Sequence, residues 1–311
     1  MAEENPNLSS PGMEPYPERL TPGSSPVSQK EAAAELLYDG SIEFSYGSEE
    51  EISAAKEVLP FGMPVMIPHL PGHALRSRLK LIKKLHDAGF DPVPHISARK
   101  VESEHELSEF LAAAIGESKV HRVVLVGGDI NKPSGPFSDS QSILSTGLLS
   151  QAGIKEVSFA GYPEGHPKIN AELMFEALLD KLSTASEQGL GANVITQFSV
   201  LPSRIVYFCS TLAAAAPDVP VYAGIAAPGT ARQLLHFARH CGVADALANV
   251  GSVGVKIAQL ANHFETGKQL RLLASFNASH PSSNLIGVHI FSFGGFGNAA
   301  NWMASRSASL S

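Results

Sequence analysis

The chain has 311 residues, 44% of them hydrophobic, and a formal net charge of -7. It can therefore bury a large core, and it lacks the concentrated basic face that nucleic-acid or acidic-membrane partners require. No run approaches the roughly 20 apolar residues of a membrane helix, and no basic region followed by an apolar one reads as a secretory signal. The only cysteines, Cys209 and Cys241, stand in apolar helix-like contexts and read as reduced core residues of a cytoplasmic protein.

Residues 1–29 are dense in Pro, Ser, Glu and Gly and poor in aliphatic side chains, so they are expected to form a disordered tail. The folded domain, residues 30–311, opens on a helix near Lys30, where Glu31-Ala32-Ala33-Ala34-Glu35-Leu36-Leu37 has high propensity. Short apolar runs follow at Ser41–Phe44, Pro64–Ile67, Pro92–Ile96, Arg122–Val126, Glu156–Ala160, Asn193–Phe198, Val219–Ile225 and Ile286–Phe291, and each reads as a buried strand. Between them, Ala74–Ala88, Ser103–Ala114, Ala171–Glu187 and Thr230–His240 carry apolar residues at helical spacing. The stretch Asn249–Asn277 is expected to hold two helical pieces.

Two local signals support this alternation. Ser103 and Glu106 have the spacing of a capping box, and Ala88-Gly89-Phe90 reads as a glycine helix stop. Eight strands separated by helices give an α/β fold, a single-domain (β/α)8 TIM barrel, with a doubly wound open sheet as the alternative.

Polar clusters follow the apolar runs, and in a barrel the strand ends converge on one mouth. Glu43 lies between Ile42 and Phe44, where alternation can turn it into the barrel. A carboxyl group enclosed by apolar walls can serve as a proton donor near neutral pH, although a salt-bridged interior carboxylate fits the same position. Asp129 follows a strand ending in Gly127-Gly128, where glycine lets the backbone approach a ligand; capping the next turn is its plain structural role. Gln197 offers both donor and acceptor to a heterocycle edge, or to neighbouring loops. Tyr162, Glu164 and His166 sit in a loop stiffened by Pro163 and Pro167, with or without a ligand.

His69-Leu70-Pro71-Gly72-His73 lacks a third ligand at convincing spacing, so no metal is expected. Phe293-Gly294-Gly295-Phe296-Gly297 follows the last strand as either a phosphate-binding loop or an exit from the barrel.

The clusters Ser41-Ile42-Glu43-Phe44, Pro94-His95-Ile96-Ser97, Gly127-Gly128-Asp129, Gly161-Tyr162-Pro163-Glu164-Gly165-His166-Pro167 and Ile195-Thr196-Gln197-Phe198, in this order, resemble the 5,10-methylenetetrahydrofolate reductase family. The resemblance runs from about Gly40 to about Phe293. It implies an oxidoreductase of one-carbon and methionine metabolism, a flavin-containing β/α barrel that reduces methylenetetrahydrofolate with NADH or NADPH. On that resemblance Glu43 is the acid that opens the folate ring, and Asp129 tunes hydride transfer and holds substrate. Gln197 and Phe198 match the substrate-binding motif. His95, Gly128, Asp129, Tyr162, Glu164 and His166 match positions that touch FAD.

The chain also departs from the family. Gly127 stands where an arginine is usual, and the segment Leu182–Gly191 lacks basic residues for the flavin phosphates, Lys181 being the nearest. Ser45-Tyr46-Gly47 replaces an aromatic and proline run, and Ala226-Ala227-Pro228-Gly229 lacks an aromatic lid. These losses weaken dinucleotide binding and keep three alternatives open: direct hydride transfer without flavin, another folate-dependent one-carbon transfer, or a non-catalytic folate- or flavin-binding barrel. A homo-oligomer is compatible with the sequence, which does not select an assembly.

Overall fold

The computed structural model describes residues 28–44, 47–70, 72–166, 168–199, 201–230, 232–233 and 265–310. The expectations for residues 1–27, for Ser45, Tyr46, Pro71, Pro167 and Cys241, for most of the Thr230–His240 helix and for the first of the two later helical pieces lie outside these residues.

Eight parallel strands close into a barrel in sequence order: β1 (Ser41–Glu43), β2 (Pro64–Ile67), β3 (Asp91–Ser97), β4 (Arg122–Val126), β5 (Glu156–Gly161), β6 (Gly191–Thr196), β7 (Val221–Ala226) and β8 (Leu285–Phe291). Closure is carried by β1, which pairs with β2 through Ile42 and Val65 and with β8 through Ile42 and Ile290. An open doubly wound sheet would leave two edge strands, whereas each of these eight strands pairs on both sides, so that alternative is excluded. The β1 and β6 runs end one and two residues earlier than the apolar pattern suggests, because Phe44, Gln197 and Phe198 already belong to the mouth loops.

Around the barrel run α1 (Gln29–Tyr38), α2 (Glu49–Lys56), α3 (Leu79–Asp87), α4 (Glu104–Ser118), α5 (Ser140–Leu144), α6 (Leu148–Ala152), α7 (Ala171–Glu187), α8 (Pro202–Ala215), α9 (Thr266–Ser279) and α10 (Phe296–Leu310). The first helix starts one residue before Lys30, because the Ser28 hydroxyl accepts from the Glu31 amide and caps it. Ser103 caps α4 in the same way, but Glu106 returns its carboxylate to the Glu102 amide, so only half of the expected capping box forms. The glycine stop after α3 is a Schellman motif: Phe90 N–H reaches Leu85 O, Gly89 N–H reaches His86 O, and Gly89 takes φ +93°.

Strand side chains alternate between two cores. Ile42, Val65, Ile67, Val123, Leu125, Val157, Phe159, Val194, Val221, Ala223, Ile225, Val288 and Ile290 face the helices. Met66, Val93, Val124, Ile195, Tyr222 and Ile286 fill the barrel interior. At the barrel's other end Arg122 pairs with Asp91, both largely buried, away from the strand ends where the polar clusters gather.

One carboxylate ties the seam. Glu51 accepts from the Ser48 amide at the start of α2 (3.0 Å) and from the Gly297 amide in the first turn of α10 (3.1 Å), satisfying N-terminal donors of two helices. Within the Gly294–Gly297 loop, the Gly297 amide is therefore already taken.

Candidate functional site

The motif residues come from five strand ends and meet at one mouth, as expected of the C-terminal face of such a barrel. Glu43 closes β1, His95 lies near the end of β3, Gly128 and Asp129 follow β4, Tyr162, Glu164 and His166 follow β5, and Gln197 and Phe198 follow β6. Glu43 is 7% exposed, and its neighbour Ile42 packs in the outer core, so alternation turns the carboxyl group into the interior.

Asp129 projects from the rim with its side chain 56% exposed, and Lys100 Nζ holds its Oδ1 at 2.7 Å. Lys100 also donates to the His69 carbonyl at 2.9 Å, so the ammonium is fixed at two points. Partial burial pushes the Asp129 carboxyl up. The Lys100 hydrogen bond, the local backbone amide and the charge of Lys100 outweigh it, leaving Asp129 below its ordinary value and ionised.

Three histidines line the interior without charge. His69 is held with its pKa near 4 by burial first and by the charge of Arg78 next. Its hydrogen bonds agree: Nδ1 accepts from the Ser97 amide at 3.4 Å, while Nε2 faces the His73 carbonyl at 3.0 Å and must carry the proton. This is the geometry of a neutral structural histidine, and no group of metal-binding side chains forms among the described residues.

His95 is brought down to about 3 by burial, then by His289, Arg78 and His69, although part of its surface remains exposed. His289, brought to about 3 by burial, shares a 2.9 Å hydrogen bond between its Nδ1 and Ser41 Oγ. His95 thus offers a ligand a neutral imidazole near pH 7, not a cation.

The loop after β5 divides its residues. Tyr162 and His166 meet edge to face, with ring centroids 5.7 Å apart, and His166 Nδ1 accepts from the Lys168 amide at 3.1 Å. Glu164 is buried instead, where Ser199 Oγ donates to it and Arg204 Nε stands 3.9 Å away. Its place is a brace between the loops after β5 and β6.

After β6, the Gln197 amide N–H donates to Gly161 O at 2.7 Å, which fixes its backbone to β5. Phe198 has no exposed surface and packs against Phe293 (5.0 Å) and Phe291 (6.0 Å). It supports the mouth from below and presents no face to a ligand in this conformation.

Arg99 and Lys100 were not singled out by the sequence, although the dibasic pair directly follows the Pro94-His95-Ile96-Ser97 motif. Arg99 reaches across to the β4 loop, its Nε donating to Gly127 O at 3.3 Å and its Nη2 donating to Gly128 O. Nη2 lies 3.5 Å from where a Cβ on Gly127 would stand, so a guanidinium occupies the flank of Gly127 even though position 127 carries no side chain. Lys181, by contrast, lies over the Phe159 ring at 5.7 Å in the outer core, and burial lowers its pKa despite the charge of Asp139.

No family model matches the chain. Over 164 residues it is 28% identical to the 5,10-methylenetetrahydrofolate reductase of Pectobacterium carotovorum subsp. carotovorum, covering 52% of this chain and 51% of that protein; it therefore spans about half the length of that relative. Among solved structures it is similar to a Clostridium thermocellum protein described as binding two copies of 5-methyl-5,6,7,8-tetrahydrofolic acid. That likeness has a TM-score of 0.55 at 15% identity and covers 87% of this chain and 95% of the other, which establishes a shared fold. The resemblance carried by the motifs is borne out: the chain is methylenetetrahydrofolate reductase-like and divergent.

Proposed function

We propose that the chain is a folate-dependent oxidoreductase that reduces 5,10-methylenetetrahydrofolate to 5-methyltetrahydrofolate with NADH or NADPH. The observation that carries this reading is the convergence of Glu43, His95, Asp129, Tyr162, His166 and Gln197, from five strands, on one barrel mouth.

In this reading Glu43 gives its proton to the folate's N10 and opens the five-membered ring, leaving an iminium whose exocyclic carbon accepts hydride. An interior position suits that task, since burial keeps the proton from bulk water. The ionised Asp129 stabilises positive charge developing on the opened folate, and Lys100 fixes where that carboxylate points. Gln197 pairs with the pterin edge through its amide, from a backbone anchored to Gly161. His95 adds a neutral donor or acceptor.

FAD, where bound, would relay two electrons from nicotinamide to the folate. The ring-facing residues suit such a heterocycle: His95, the Tyr162–His166 pair and the Gly128 backbone lie on the β3 to β5 side of the mouth. Lys181, packed on Phe159, offers nothing to its phosphates, and this favours a second reading in which nicotinamide passes hydride directly to the folate.

The test is NAD(P)H oxidation by the purified protein with and without methylenetetrahydrofolate, with the product identified as 5-methyltetrahydrofolate. Oxidation that does not depend on the folate, or a product lacking the methyl group, rejects the proposal.

A further inference from the structure

We infer that Arg99, with His166 and Lys168 of the neighbouring loop, forms an oxyanion-binding corner of the mouth that receives a carboxylate or phosphate oxygen of the bound ligand. This deepens the proposed function and rests on it for the ligand's identity: a folate carries glutamyl carboxylates, and a dinucleotide carries a diphosphate.

The guanidinium is held in place before any ligand arrives. The Arg99 amide donates to Gly127 O at 3.0 Å, its carbonyl accepts from the Ser134 amide at 2.8 Å, and its Nε bonds Gly127 O. The loop that delivers Ser134 is itself locked, because a Cβ on Gly135 would stand 2.3 Å from Glu102 O. A side chain fixed at this many points loses little freedom when it binds.

Its charge is also uncompensated by its bonds, which among the described residues run to carbonyl oxygens and to no carboxylate. Carbonyls use two of its five N–H groups and leave the others for a fork-like contact, the geometry that suits carboxylates and phosphates. The nearby acidic group, Asp129, is paired to Lys100 instead.

His166 stands on the neighbouring loop: Arg99 crosses onto the loop after β4, and β4 pairs with β5, whose following loop carries His166 and Lys168. In keeping with that placement, the His166 imidazole is held below the ordinary value by burial first, then by the charges of Lys168 and Arg99. Lys168 is exposed, and His166 Nδ1 is occupied by the Lys168 amide, which directs the remaining ring nitrogen to any new partner. An anion seated here would offset the adjoining positive charges of Arg99 and Lys168.

The experiment titrates the full-length protein with inorganic pyrophosphate and, separately, with glutarate, following the His166 ring protons by NMR; their signals are identified by their loss in His166→Gln. In wild type at least one probe is expected to saturate and to move the His166 titration to higher pH. Arg99→Met should weaken that response about tenfold or more, with Arg99→Lys intermediate. Should Arg99→Met fail to fold, Lys168→Met, on an exposed residue, should weaken it severalfold. Tighter binding of pyrophosphate marks the diphosphate of a dinucleotide as the natural occupant, and tighter binding of glutarate marks the glutamyl tail. Saturation by neither probe, or an undiminished response in the folded variants, overturns the inference. Neither probe contains a pterin, flavin or nicotinamide, so absence of folate turnover would reject the proposed function separately.

Discussion

Lys100 and Asp129 stand 2.7 Å apart across the ends of β3 and β4, and the same ammonium is tied to the carbonyl of His69. The pair sets both the charge and the direction of the carboxylate at the rim. Lys100→Met is expected to let the Asp129 pKa rise toward its ordinary value and to lower turnover roughly 10- to 100-fold through lost positioning. Lys100→Arg should recover part of it. The acidic limb of the pH–rate profile should move upward in Lys100→Met, and an unmoved limb with normal turnover would remove Lys100 from this role.

Acid should destabilise the fold in a defined window. The pKa values of His69 and His289, about 4 and about 3 in the folded protein, lie below the value near 6.5 of an unfolded histidine. Below pH 6.5 the unfolded chain therefore binds protons that the native state refuses. Stability falls as pH drops from about 6.5 toward 4, at up to about 1.4 kcal/mol per pH unit for each group. His95, also held near 3, adds to the same slope. Denaturant melts across this range should show a shallower slope in His289→Asn than in wild type.

The strands were legible because a parallel sheet covered on both faces needs short, nearly continuous apolar runs, and all eight runs became strands. The mouth was legible wherever a side chain follows its own strand, as with Glu43, Asp129 and Gln197. Contacts set by register were not. Lys100 finds Asp129, and Arg99 finds Gly127, only because β3 and β4 pair with Ser97 beside Val126. Glu164 and Phe198 carry motif identity, but their burial depends on Ser199, Arg204, Phe291 and Phe293, which come from later in the chain.

Gly224 on β7 faces a crowded wall. A Cβ there would stand 2.1 Å from Thr196 O and 2.8 Å from the Phe291 ring, while its amide donates to Thr196 Oγ1 at 2.8 Å. Gly224→Ala must part β6 from β7 just below Gln197. A loss of about 3 kcal/mol is expected by denaturant unfolding, along with weakened folate binding; an unchanged midpoint would contradict this packing.

The two cofactor readings separate in the flavin content of freshly purified protein. Bound FAD, held without Lys181, should be loosely retained and released by salt. Folate-dependent NAD(P)H oxidation by protein with no flavin, unchanged when FAD is added, would select direct hydride transfer.

The measurement that bears most directly on the proposed chemistry compares folate binding with turnover in Glu43→Gln. The amide fills the same interior position but has no acidic proton to give to the folate nitrogen. The account predicts a melting temperature close to wild type, 5-methyltetrahydrofolate affinity within about threefold, and turnover at saturating substrate reduced at least about 100-fold. Turnover near the wild-type rate at saturating folate would contradict it.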